Sequence, residues 1–340
     1  MPFALAQFSA ETFSIWMVFV IFFSLIVVFD FGLTSTISRQ YNYLLAGANS
    51  IERSGVSLSV TQDVNKELFS QLYHSSVIIF TSIAILVGIL LLLVYWFYLK
   101  PITMEHPKSI TIEWTLYSIA IFINLICLKY NAIFFGTNNV TSLYRISSLS
   151  NIVFFAIAIS LILLNYELMA IALARICAAI VYFIHARYEV KSLKMLRHYD
   201  PKYKNGAQKV FKNLLPNAAK LGGVTLGNFL TRKASVLIVV AYLPLSDSGS
   251  YALALNIFSV ILSICLLYMT VKIPLLNAYR QKLMYIQLLQ LQQKIRLVCL
   301  TLGIAAFLSF MFLGEYVLNY IGSITQLPSL MTLALFTLLY

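Results

Sequence analysis

The chain has 340 residues, 60% of them hydrophobic, 14% aromatic and 11% charged, with a formal net charge of +12. The charged fraction is less than half of the roughly 25% usual in a soluble domain. Apolar runs of about 18 residues or more recur along its length, which excludes a water-soluble globular fold and marks an all-α, polytopic integral membrane protein.

The apolar runs predict helices at about 13–31, 73–98, 111–135, 146–164, 167–185, 217–242, 251–275 and 296–319, with a ninth beginning near Leu330. The first basic residue is Arg39, so the N-terminal segment has no basic n-region of a cleavable signal peptide. Cys127, Cys177, Cys265 and Cys299 sit singly inside apolar runs, a placement that reads as small packing residues rather than disulfide or metal ligands.

Orientation follows from the Lys and Arg in the connections. Alternate connections at 33–72, 136–148, 186–216 and 276–296 hold sixteen, eight of them in 186–216, against two in all the others. The first set is expected to be cytoplasmic. The outer loops are short. The longest soluble element is the basic inner stretch 186–216, ordinary positive-inside chain on anionic headgroups or a site for a partner, and its part 191–216 is the cytoplasmic linker. It separates an N-terminal helical lobe, 1–190, from a C-terminal lobe, 217–340.

Both ends are expected to be cut. The N-terminus falls outside with little before the first span, and "SLMTLALFTLLY" stops after about twelve apolar residues where a span needs about twenty. A weak internal repeat agrees: "FSIWMVFVIFFSLI" lies on "SGSYALALNIFSVI", pairing Trp16 with Tyr251, and only the second copy is preceded by a full helix.

Charges inside the spans carry the functional signal. On a helix over 217–235, Asn217, Lys220, Asn228, Thr231, Arg232 and Ser235 share one polar stripe, with Lys233 off it. Such a stripe faces a water-filled cavity or another polar helix, because lipid cannot satisfy it. Arg232 is read toward a cavity and Lys233 toward a structural pair, with both roles open for each. Arg175 is central in its span, while Lys129 and Lys272 lie near the inner ends, where snorkelling competes as an explanation. Asp30 is the only carboxylate well inside a span; it pairs with a cation, carries a coupling proton, or shapes a helix end. Six or seven cations thus face one anion. Structural ion pairing predicts balance, so the interior reads as built for anions. Gly223 and Gly227 form a GxxxG beside Gly222, expected to pack a helix closely or act as a hinge. The sequence carries no HExxH, Walker A loop, GxSxG or paired catalytic carboxylates, so neither an enzyme, a metal nor a cofactor is expected.

"FSIWMVFVIFFSLIVVFDFGLTSTISRQYN" resembles the early segment of Wzx-type polysaccharide flippases: an aromatic at Trp16, a long apolar run, then Asp30, Gly32, Leu33 and Arg39. "RKASVLIVVAYLPLSDSGSYALALNIF" and "VKIPLLNAYR" followed by "LTLGIAAFLSFMFLGEYVLNYIG" are similar to later segments of that family. Two positions depart from it: Lys233, Ala234 and Ser235 stand where an acidic residue is frequent, and Ser14 replaces a glycine before Trp16.

The resemblance implies the two-lobed fold of the multidrug/oligosaccharidyl-lipid/polysaccharide (MOP) exporters, related to that of the MATE transporters, here without the first and last helices. It also implies a bacterial inner-membrane flippase moving an undecaprenyl-pyrophosphate-linked oligosaccharide, an O-antigen or lipopolysaccharide repeat unit, from the cytoplasmic to the periplasmic leaflet. Arg39, Arg175 and Arg232 would line the cationic cavity, with Lys129 and Lys220 nearer its inner mouth. Asn228, Thr231 and Ser235 would meet sugar hydroxyls, and Asp30 is the candidate for ion coupling. Partners would be the lipid-linked oligosaccharide, membrane lipids, a polysaccharide polymerase and a chain-length regulator, but no nucleic acid. A lipid II flippase or a multidrug exporter are the nearer alternatives. A membrane polymerase or glycosyltransferase would need large outer loops, which this chain lacks.

Overall fold

The structure, a computed structural model, describes residues 2–48, 50, 65–103, 110–193, 202, 220–231, 233–281 and 284–339. Among these, every regular element is helical: α1 Pro2–Gln7, α2 Ala10–Phe29, α3 Leu33–Leu45, α4 Lys66–Val94, α5 Thr111–Gly136, α6 Val140–Leu163, α7 Glu167–Ser192, α8 (220–231), α9 Ala234–Tyr242, α10 Leu245–Gln281, α11 Tyr285–Ile321 and α12 Leu330–Leu339. Eight helical stretches are long and apolar enough to cross a membrane; α2 and α3 together form one of them, Ala10–Leu45, and α8 and α9 another, Lys220–Tyr242. The chain is an all-α, multi-pass membrane protein.

The helices overrun the apolar runs. α4 begins at Lys66, α7 continues to Ser192 and α11 begins at Tyr285. Hydropathy marks only the lipid-embedded part of a helix; "KELFSQ" and "YIQLLQLQQKIR" are amphipathic extensions that keep helical backbone bonding beyond it. Two helices, the short α1 and α3, have no counterpart among the predicted spans. α3 buries Leu33, Thr36, Ile37, Gln40, Tyr41 and Leu44, a one-face pattern at three- and four-residue spacing.

By their contacts the residues fall into two compact units, Val18–Ala241 and a second made of Met1–Met17 with Tyr242–Tyr340. The basic linker expected at 191–216 lies outside the described residues apart from 191–193 and 202.

In the Val18–Ala241 unit, α3 to α7 enclose one apolar core, including Ile37, Tyr41, Phe80, Phe134, Ile146 and Val190. Lipid tails are as apolar as leucine, so these helices associate through close packing and satisfied polar groups rather than by escape from water. Gly136 shows the close packing: a Cβ there would lie 2.5 Å from the Tyr41 Cβ and 2.7 Å from the Ser38 carbonyl oxygen. Three polar groups are satisfied across helices. Trp114 Nε1 donates to the Leu91 carbonyl at 3.2 Å, Ser150 Oγ to that of Ala178 at 2.8 Å, and Tyr182 OH to Asn131 Oδ1 at 2.6 Å.

In the second unit, Trp16 is buried edge-on against Phe8 and Phe13, at centroid distances of 5.8 and 5.6 Å. Phe258 of α10 stacks on Phe307 of α11 at 4.9 Å and meets Phe336 of α12 at 5.6 Å. Ser14 hydrogen-bonds through Oγ to the carbonyls of Ala10 and Leu245, and Gly249 leaves it room, since a Cβ there would lie 2.7 Å from that oxygen.

Candidate functional site

Arg175 is the best-defined of the intramembrane cations. It lies within α7, whose first-turn Glu167 and last-turn Lys191 mark the helix ends. Its guanidinium carbon sits 4.0 Å from the Phe154 ring centroid of α6 and 4.3 Å from that of Phe23 of α2. Both distances are within the range at which a cation is drawn to a ring face, an attraction of about 2 kcal/mol when desolvated. Among the described residues no carboxylate pairs with it, and its Nε is buried without a hydrogen-bond partner. The hydroxyl of Tyr117 on α5, itself buried, lies close enough to Arg175 to interact with it through charge and hydrogen bonding. Phe23 packs edge-on against the same Tyr117 ring at 6.0 Å.

Among the described residues this cation is held by ring faces and not by an anion, so none of them compensates its positive charge. Buried polar groups without partners are few in a folded protein, and here the Arg175 Nε is one of them, beside a phenol OH. Chemically, the pair can donate to an acceptor oxygen that carries negative charge. α5 adds Glu113 Oε2 and Ser118 Oγ, also buried and without partners. Glu113 therefore joins Asp30 as a carboxylate inside a span.

Phe23, Tyr117 and Phe154 escaped sequence reasoning because aromatics in apolar runs look alike. The available signal was composition: α2 carries five phenylalanines and a tryptophan in 20 residues, more than apolarity alone requires.

The other sequence-derived candidates are dispersed. Arg39 is exposed on α3. Lys220, Asn228 and Thr231 are exposed on α8, and the Thr231 hydroxyl donates to its own helix at the Gly227 carbonyl, 2.9 Å away. Ser235 is half-buried at the start of α9. Arg232 lies outside the described residues. Lys233 is half-buried in a turn between α8 and α9, and nothing in the structure explains its side chain. Lys129 is half-buried, with its ammonium 5.0 Å from the Tyr130 centroid, and lines a cleft that Arg39, Arg175 and Lys220 do not.

Asp30 has a visible task at a helix end. Its Oδ1 accepts from the Thr34 backbone N–H at 3.0 Å and from the Thr34 hydroxyl at 2.6 Å, holding the turn between α2 and α3. From two residues before the N-cap Gly32, Asp30 thus satisfies a first-turn N–H as a capping side chain does, a bond worth about 1 kcal/mol. Asp30→Ala is therefore expected to lower the stability of the detergent-solubilised chain by about 1 kcal/mol, while Asp30→Asn keeps an acceptor and most of that stability. Thermal unfolding midpoints check this. An ion-coupling role for Asp30 would show instead as loss of transport in Asp30→Asn with its midpoint unchanged.

Of the two roles expected for the GxxxG, close packing is not found at its two glycines among the described residues. An added Cβ at Gly223 or Gly227 would meet nothing within 4 Å, whereas one at Gly222 would lie 2.2 Å from Phe31 Cδ1. The close approach uses the neighbouring glycine because the face of α8 turned to Phe31 and Gly32 carries Leu221 and Gly222.

No protein-family model matches the chain, and no curated protein or solved structure matches it.

Proposed function

We propose that this protein is a flippase of the Wzx type in the MOP superfamily, moving an undecaprenyl-pyrophosphate-linked oligosaccharide across the bacterial inner membrane. Arg175 carries the proposal: an intramembrane guanidinium with no described carboxylate partner, a buried free Nε and a tyrosine hydroxyl beside it. The excess of cations in the spans and the sequence resemblance support the same reading.

The physical obstacle to flipping such a lipid is its pyrophosphate and hydrated sugars, because the polyprenyl tail is already at home in lipid. A cation inside the bundle replaces part of the water around the phosphate oxygens. Arginine does so with a planar fork of donors that matches two oxygens at once. An inner leaflet origin and an outer leaflet destination then require access to alternate between the two faces.

The purified chain in proteoliposomes tests this directly. A fluorescent polyprenyl pyrophosphate bearing a short oligosaccharide is expected to become accessible on the opposite leaflet, whereas the same saccharide on an uncharged polyprenyl ether is not. Equal movement of both lipids, or of neither, would sink the proposal.

A further inference from the structure

A second basic feature stands apart from Arg175. Where α4 begins and α5 and α7 end, a cleft of about 340 Å³ opens in the Val18–Ala241 unit. Three helices supply its basic side chains: His74 from α4, Lys129 from α5, and Arg187 and Lys191 from α7. Phe183, Arg187 and Lys191 follow each other at four-residue spacing, so one face of α7 aims them all at the cleft. Tyr130 and Val77 complete an apolar wall.

Among the described residues no carboxylate lines this space. Glu189 lies between Arg187 and Lys191 in sequence, but its Oε1 faces α6, accepting from Arg145 at 2.8 Å and from Ser142 Oγ at 2.7 Å. Lys129 and Arg187 meanwhile stand close enough to repel one another. Like charges gathered in a half-buried concavity focus a positive potential that an anion relieves.

Simpler explanations cover only part of the set. Arg187 and Lys191 alone would be ordinary company for a helix C-terminus. Lys129 lies inside its span, well short of the α5 end at Gly136, and converges on the same cleft from another helix. The positive-inside count assigns this end of the unit to the cytoplasmic side, the leaflet that carries anionic headgroups.

We propose that this cleft is a binding site for the phosphate of an anionic phospholipid headgroup. Arg187 would take two phosphate oxygens through its fork, with Lys129 and Lys191 as point charges. Phe183, Tyr130 and Val77 would meet the glycerol and the first acyl carbons. The site is independent of the transport proposal, because Arg175 does not line it.

Native mass spectrometry of the purified full chain, titrated with phosphatidylglycerol, phosphatidylcholine or inorganic phosphate, tests it. The parent is expected to retain phosphatidylglycerol in preference to phosphatidylcholine. Arg187→Gln, at an exposed position that leaves folding intact, should weaken retention about fivefold, and adding Lys129→Gln should weaken it about fivefold again. Lys129→Arg should retain the lipid. Arg296→Gln on α11, equally exposed, is the control for general surface charge. Retention unchanged in the double variant, or lost equally in Arg296→Gln, would overturn the site. Inorganic phosphate held in a manner sensitive to Arg187→Gln, without retention of phosphatidylglycerol, would overturn the lipid and leave a soluble phosphate as the ligand.

Discussion

Gly32→Ala is expected to destabilise the chain by about 3 kcal/mol, the sum of two costs. Gly32 has φ +67° and ψ 15°, a left-handed conformation that costs an L-residue about 1–2 kcal/mol. An added Cβ would also lie 2.6 Å from the Cβ of Leu221, which is fixed to the α8 backbone and cannot swing aside. The preceding Phe31 is at φ 47°, so two successive left-handed residues turn the chain from α2 into α3. On the other side of the contact, Gly222→Ala drives a methyl into the Phe31 ring and should be damaging in its turn. Gly223→Ala and Gly227→Ala are the controls. With nothing within 4 Å, alanine there should be neutral or stabilising by up to about 1 kcal/mol through helix propensity. Thermal unfolding midpoints of the four variants in one detergent give the comparison. Equal midpoints for Gly32→Ala and Gly223→Ala would contradict the described packing of α8 on the α2–α3 turn.

That turn shows what the sequence made legible and what it did not. The spans were readable because some 20 apolar residues in a row have one physical meaning in any context. α3 was not, since an amphipathic helix of 13 residues with Arg39, Gln40 and Asn42 on it reads as a polar connection to any hydropathy window. Asp30 stood out as a carboxylate in an apolar run, but whether it caps a helix or moves a proton depends on where Thr34 lies, and that depends on the turn. A GxxxG spacing likewise marks a helix face suited to close approach without saying which face is used; here the packing fell on Gly222.

Charges in the spans were countable, and their partners were not. The same count covers Arg175, wedged between two rings, and Lys220, exposed on α8. Arg187 and Lys191 were counted with the positive-inside linker because the apolar run ends before them. Continuing the helical spacing from Phe183 through Arg187 to Lys191 would have placed all three on one face with no further information.

Arg175→Met is expected to abolish transport while leaving stability within about 1 kcal/mol of the parent. Removing the guanidinium gives up two ring contacts but also relieves the desolvation of an unpaired charge, and a methionine of similar volume packs well against Phe23 and Phe154; apolar replacements of buried charges are often neutral or stabilising. Arg175→Ala removes the packing too and should be less stable by about 2 kcal/mol or more. Arg175→Lys keeps the charge and loses the planar fork, so transport should persist at about a tenth of the parent rate. The three variants separate the two roles of this residue. A purely structural arginine predicts that transport follows stability, with methionine active and alanine impaired. An arginine that meets phosphate predicts that transport follows charge, with lysine active and methionine dead whatever their midpoints. Flipping of the pyrophosphate lipid in proteoliposomes, read beside thermal unfolding of the same preparations, distinguishes them; a Met variant as active as the parent would remove Arg175 from the substrate path.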